Sequence, residues 1–263
     1  MTHVSLLRLR CRNTAALRDA DRGNDVSLLD PGECDTHQRF LIAEDRRDYA
    51  AAHALLRRTL TSLEPGHSPE AWTFARTAHG KPYLSVADRK GPPLRFSLTH
   101  TRGCVACAVS RAADIGIDAE SRSRINDLGR LIEGVCSPEE QAQVLAAPVA
   151  AQVPLFLDLW ALKEAYLKAR GTGLDASLAN IAFDLSRAAM ILPAFTTEGA
   201  RAWWFGLFRP SPESRVALAI APDQGAELML DAGILGPHGE AMPIEPVRAS
   251  APHRLAATTT SAP

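Results

Sequence analysis

At 263 residues the chain has the mass for one large domain or two modest ones, and either could bury a core of its own. Twenty-nine basic against thirty acidic residues give a formal net charge of -1, which removes any global argument for nucleic-acid or membrane binding. Five scattered cysteines are a poor disulfide framework and no apolar run reaches signal or membrane-spanning length, so a cytoplasmic protein with reduced thiols is expected.

In chain order, residues 1–30 are arginine-rich and read as a poorly ordered segment. Eleven arginines fall between Arg8 and Arg76 and Lys81 follows, a bias that suits an anionic ligand or a solvated surface equally. Asp45 to Leu63 reads as a helix, with Tyr49, Ala52, Leu55, Leu56 and Leu60 at helical spacing and Arg46, Arg47, His53 and Arg57 on its polar face. A strand-rich block follows: Trp72 to Ala75, a turn at His79-Gly80-Lys81-Pro82, then Leu94 to His100 and Cys104 to Ser110 around Thr101-Arg102-Gly103. Cys104 and Cys107 form a CxxC, but no second pair or histidine cluster joins them, so they read as small core residues. Ile115 to Glu120 is a further strand.

Helices come next. Ser137-Pro138-Glu139-Glu140 is a start signal, with an N-cap serine, a proline at the first helical position and Glu140 at the third. A longer helix runs from about Pro154 to Arg170 and stops at Gly171-Thr172-Gly173, where glycine can turn left-handed. Strand-like segments around Ile181 to Leu185, Ala202 to Phe208 and Val216 to Ile220 close the ordered region, and residues 229–263 are expected to form a disordered tail. The class is α+β, with no internal repeat visible in the sequence.

Two elements carry candidate chemistry. In Gly116-Ile117-Asp118-Ala119-Glu120 the strand period puts both carboxylates on one face, about 7 Å apart, with Ile115 and Ile117 on the core face. Such a pair can hold a hard cation such as Mg²⁺ or be a solvated edge charge. Gly116 leaves room on that face for a ligand or another backbone. In the later helix, Trp160, Glu164 and Lys168 lie at successive spacings of four on one stripe, which alone would be an exposed ion pair beside a tryptophan.

Together these residues resemble the Sfp-type family of 4'-phosphopantetheinyl transferases. The family's GxDxE strand is matched by Gly116 to Glu120, and its WxxKExxxK helix with a following GxGL by Trp160 to Leu174. Upstream, Gly80-Lys81-Pro82-Tyr83-Leu84 is similar to GKPxL and Phe96-Ser97-Leu98-Thr99-His100 to FNxSH, with Ser97 in the asparagine's place. Four motifs in order, over roughly residues 39–220, are a far stronger signal than any one.

The resemblance implies a pseudo-dimer of two similar α/β halves, here residues 31–112 and 113–228, with coenzyme A in the cleft between them. It implies Asp118, Glu120 and Glu164 as ligands of Mg²⁺, Glu164 as base and Lys168 as a second catalytic group. Arg46, Arg47, Lys81, Thr99, His100 and Lys168 would hold coenzyme A. The activity implied is transfer of the phosphopantetheine arm to a serine of an acyl or peptidyl carrier protein by a monomeric enzyme. Arg122, Arg124 and Arg130 are candidate contacts to an acidic carrier. Asp48 stands where the family commonly has an arginine; an acid facing the cofactor there would repel phosphate and leave the role to Arg46 or Arg47.

Overall fold

A computed structural model describes residues 4–15, 17–85, 92–122, 125, 127–172, 178–188, 190–193, 202–236, 239–250 and 255–257. The chain opens with strand β1 (Val4–Asn13), helices α1 (Asp19–Val26), α2 (Pro31–Arg39) and α3 (Ala43–Leu63), and strands β2 (Phe74–Arg76), β3 (Pro82–Leu84), β4 (Arg95–Thr101) and β5 (Cys104–Ser110). It continues with β6 (Ala113–Ser121), α4 (Leu128–Val135), α5 (Pro138–Ala146), α6 (Val149–Arg170), β7 (Phe183–Asp184), β8 (Leu192–Pro193), β9 (Trp204–Phe208) and β10 (Ser214–Pro222). The last strands are β11 (Glu227–Leu235), β12 (Ala241–Pro243), β13 (Arg248–Ala249) and β14 (Leu255–Ala257).

The strands reveal a duplication. In the first sheet β5 lies between β1 and β4, antiparallel to both, and in the second β10 lies between β6 and β9 in the same way. Each unit thus runs strand, long helix, hairpin, with the hairpin's second strand paired to the first strand of the unit. The inner faces of the two sheets share one core, in which Leu7, Leu9, Ala106 and Ala108 meet Ile115, Ile117, Val216 and Leu218. The outer faces carry α3 on the first sheet and α6 on the second.

The helices repeat a clamp as well. Both α2 and α5 begin with a capping box and a proline in the first turn, Asp30 with Glu33 and Ser137 with Glu140. In each case the glutamate takes a cation from the following long helix: Arg57 Nη2 lies 2.6 Å from Glu33 Oε2, and Lys163 is paired with Glu140. Arg57 and Lys163 are almost fully buried, so Arg57 is not on a polar surface of α3. Two SPxE-like starts, Asp30-Pro31-Gly32-Glu33 and Ser137-Pro138-Glu139-Glu140, are therefore a short internal repeat that was present in the sequence.

Two expectations about the ends are corrected. Residues 4–15 and 17–30 are not poorly ordered: β1 crosses the first sheet, with Leu7, Leu9 and Cys11 buried while Arg8 and Arg10 both meet Asp231 of β11. Residues from 229 onward do not form a tail throughout, because β11 pairs parallel with β1 and returns the chain to the first sheet. The long helix α6 starts at Val149 rather than Pro154, and the proline sits in its second turn, where its missing N–H removes one ladder bond. Among the described residues no helix is long and apolar enough to cross a membrane.

The CxxC also has a simple explanation. Cys104 belongs to the core between the sheets and Cys107 to the layer under α3, so the strand period turns the two thiols to opposite faces. Burial pushes both up to about 12.

Candidate active site

Where β4 of the first unit meets β6 of the second, no backbone ladder joins them. Side-chain hydroxyls do so instead: Ser97 Oγ accepts the Ile117 N–H at 3.1 Å and Thr99 Oγ1 accepts the Ala119 N–H at 3.2 Å. A cavity of about 820 Å³ lies over this seam. The first unit contributes Tyr49 and His53 from α3, Arg76, His79 and Lys81 from the β2–β3 hairpin, and Thr99 and His100 from β4. The second contributes Asp118 and Glu120 from β6 and Glu164 and Lys168 from α6.

Gly116 is what brings strand and helix together. A Cβ built there would lie 2.0 Å from the Ala165 carbonyl oxygen and 2.3 Å from the Ala169 nitrogen, so α6 packs directly on the strand backbone. The room at Gly116 is thus taken by another backbone rather than by a ligand. One turn along the same contact, Lys168 Nζ donates to Asp118 Oδ1 at 2.6 Å. The Thr99 hydroxyl donates to the same oxygen at 3.3 Å, while Asp118 Oδ2 is buried with no hydrogen-bond partner. Burial, and then the Asp118 charge, raise the Glu164 carboxyl above its ordinary value, with Lys168 opposing. As placed, no group of three His, Cys, Asp or Glu side chains among the described residues is gathered tightly enough to hold a metal unaided.

The opposite wall is cationic and aromatic. His53 Nδ1 lies 2.7 Å from Glu33 Oε1, and its ring lies 4.4 Å from that of Tyr49, which meets His100 edge-on. Burial opposes the Glu33 charge, but His53, Arg57 and the Asp30 N–H outweigh it and bring this carboxyl to about 2. Lys81 reaches across the cavity to donate to the Ala169 carbonyl at 2.8 Å, at the C-terminal end of α6, a favoured place for a cation. Burial lowers the Lys81 pKa. Gly171 ends that helix with φ +70°, and a Cβ there would meet Lys81 Cδ at 3.0 Å.

Of the expected coenzyme A contacts, Lys81, Thr99, His100 and Lys168 line the cavity. Arg46 and Arg47 do not: Arg46 Nη2 folds back on the Phe40 carbonyl and Arg47 Nη2 is held 2.8 Å from Asp48 Oδ1. They line a separate, smaller depression with Arg22 and Asp25. Asp48 is turned away from the cavity as well, 1 % exposed, accepting from Thr14 Oγ1 and from the Gly103 N–H at 3.0 Å. It fastens α3 to the end of β1 and to the β4–β5 turn, so the expected repulsion of phosphate does not arise. Sequence reasoning gave no cavity role to Tyr49, His53, Arg76 or His79; the spacing of Tyr49 and His53 on α3 was the available signal. Gly173, Leu174 and Arg124 lie outside the described residues, while Arg122 and Arg130 are exposed.

The arrangement is that of a duplicated α+β protein whose cleft sets carboxylates on one wall against cations on the other. Residues 114–221 match the family model of the 4'-phosphopantetheinyl transferase superfamily. It is 33% identical over 153 residues to the 4'-phosphopantetheinyl transferase HetI of Nostoc sp., covering 57% of this chain and 62% of that one. It is 31% identical over 173 residues to the 4'-phosphopantetheinyl transferase pptA of Paxillus involutus, covering 59% and 64%. The matches thus span less than two thirds of these relatives. Among solved structures, a holo-(acyl-carrier-protein) synthase of Bacillus anthracis, in complex with CoA (3',5'-ADP), covers 42% of this chain and 96% of its own at 24% identity and a TM-score of 0.37.

Proposed function

We propose that this chain transfers the 4'-phosphopantetheine group of coenzyme A to a serine of an acyl or peptidyl carrier protein, releasing 3',5'-ADP. The observation that carries the reading is the cavity itself, where Asp118, Glu120, Glu164 and Lys168, all from the matched stretch, face Lys81 and His100 across the seam. In the transfer, the serine oxygen bonds to the phosphorus bearing the pantetheine, the bond from that phosphorus to the bridging oxygen breaks, and 3',5'-ADP leaves with the electron pair. Glu164 takes the serine proton, a task favoured by its raised pKa. Lys168 and the cavity wall of Lys81, His53 and His100 hold the phosphates.

The donor set fits Mg²⁺ in the manner usual for that ion, with one or two carboxylates completed by substrate phosphates and water. The buried, unpartnered Asp118 Oδ2 is the atom that asks for it, and Glu164 and Glu120 stand on the same cavity. Bound there, the ion would neutralise charge on the pyrophosphate. Arg122 and Arg130 are proposed to meet an acidic carrier surface, and the enzyme is proposed to act as a cytoplasmic monomer, which sedimentation of the purified protein would check.

The test is intact-mass spectrometry of apo carrier proteins after incubation with the protein, coenzyme A and Mg²⁺. A gain of one phosphopantetheinyl group, lost with chelator and with Asp118→Ala, is the expected result. No gain on fatty-acid, polyketide or nonribosomal-peptide carriers from a folded protein would overturn the proposal.

A further inference from the structure

The clamp that the two units share differs in where its second oxygen goes. In both units one glutamate oxygen takes the N-cap N–H and the cation of the long helix. Glu140 Oε2 accepts the Ser137 N–H at 2.8 Å and pairs with Lys163, and Glu33 Oε2 accepts the Asp30 N–H at 2.9 Å and Arg57 Nη2 at 2.6 Å. The remaining oxygens diverge. Glu140 Oε1 accepts the Phe183 N–H at 2.9 Å, a backbone contact inside the core of the second unit. Glu33 Oε1 instead lies 2.7 Å from Nδ1 of His53, whose ring borders the cavity.

Charge decides how that contact is made. Burial opposes the Glu33 charge, but His53, Arg57 and the Asp30 N–H bring the carboxyl to about 2, so at neutral pH it is ionised and can only accept. Nδ1 therefore carries a proton, and the ring's other nitrogen, Nε2, is left for a ligand. The Tyr49 ring lies 4.4 Å from that of His53, while Arg76, His79 and Lys81 stand on the same cavity. Such a wall suits an anion. A phosphate held at Nε2 needs a proton there as well, and the Glu33 carboxylate behind the ring balances the imidazolium charge that results. An acid on a phosphate-binding wall would otherwise repel its ligand, but here both carboxylate oxygens are engaged by His53, Arg57 and the Asp30 N–H.

We infer that Glu33 is a positioning residue for coenzyme A, acting through His53: its carboxylate takes the Nδ1 proton, sets the ring and turns Nε2 to a phosphate of the substrate. The inference rests on the proposed function and deepens it. One of the two repeated clamps thereby gains a part in the site that its counterpart, closed off by Phe183, does not have.

The probe is 3',5'-ADP, which carries phosphates but no pantetheine arm, titrated by calorimetry into the full chain. Glu33→Gln is expected to weaken its binding about tenfold in the parent, the size of a lost charge-assisted hydrogen bond. In a His53→Gln background the loss should shrink to less than about twofold, since the two residues act as one unit. NMR of isotope-labelled histidine reads the ring itself, which a merely structural role for Glu33 would not fix: the neutral ring should carry its proton on Nδ1, and 3',5'-ADP should protonate Nε2. Should Glu33→Gln not fold, Glu33→Asp, which keeps the charge on a shorter arm, takes its place in the cycle. An equal loss in both backgrounds, no loss in the parent, a neutral ring protonated on Nε2, or an Nε2 signal unmoved by 3',5'-ADP overturns the inference alone. A parent that binds no 3',5'-ADP overturns the coenzyme A reading and the inference with it.

Discussion

The two units share an order of elements but differ in where the long helix rests. In the second, α6 lies on β6 itself, because Gly116 has no side chain to hold it off. In the first, β1 presents arginines at the corresponding outer face: Arg8 donates to Ser62 Oγ at the end of α3, and Arg12 and Arg58 meet on Asp25. Those long side chains space α3 from β1, and the helix packs over β5 and β4 instead, with Leu55, Leu56 and Leu60 against Val105, Cys107 and Val109. One unit thus crowds strand and helix carboxylates together, whereas the other keeps its cations and aromatics spread along the opposite wall. The residue on the first strand's outer face decides which kind of wall a unit makes.

The largest expected effect probes what the units have in common. Lys163→Ala leaves Glu140 buried without its cation, and Arg57→Ala does the same to Glu33, so each should cost about 3–5 kcal/mol in urea unfolding. If only one were costly, the clamp would be a shared pattern without a shared role. Next comes the feature that separates them. Gly116→Ala must push α6 from β6, with an expected loss of about 1–3 kcal/mol in stability. The displaced Glu164 and Lys168 should lower transfer about a hundredfold, measured by single-turnover mass spectrometry.

The pH response contrasts two glutamates. Glu33, brought from 4.5 to about 2, stabilises the fold above its unfolded value, and that stability is lost as pH falls from about 4.5 through 2. Glu33→Gln should therefore flatten the melting-temperature profile across that window. Burial and then the Asp118 charge shift Glu164 upward, so in the cation-free protein its carboxyl should titrate above the ordinary glutamate range, and Asp118→Asn should lower that value, both read by NMR. The smallest effect is Asp231→Asn, which loosens partly exposed ion pairs between β1 and β11 and should cost about 0.5–1 kcal/mol by thermal melt.

Much of the second unit was legible because its signals are local. Asp118 and Glu120 follow a two-residue period, Glu164 and Lys168 a four-residue one, and the capping box at Ser137 is complete within four residues. The strand β1 was harder to read: Leu7, Leu9 and Cys11 do alternate, but with arginines whose partner, Asp231, lies more than two hundred residues away. Without β11 in view, those charges resemble a solvated segment. The fate of Arg46, Arg47 and Asp48 was likewise out of reach, since Thr14 and Gly103 decide which way Asp48 turns and therefore what Arg47 can do. The duplication was visible as two short acid-proline starts, yet four residues repeated once carry little statistical weight until the strand order joins them.

The seam between β4 and β6 has a mechanical consequence. A backbone ladder resists sliding at every other residue along its length, whereas here side chains bridge the two strands: Ser97 and Thr99 accept β6 backbone N–H groups, Thr99 also donates to Asp118, and Arg95 donates to Asp114. Shear between the units is therefore opposed by side chains, and the Ser97 and Thr99 stitches lie in the floor of the cavity. A ligand that draws Thr99 or its neighbour Asp118 toward itself loads the joint directly, so filling the cleft and setting the relative position of the two units become one event.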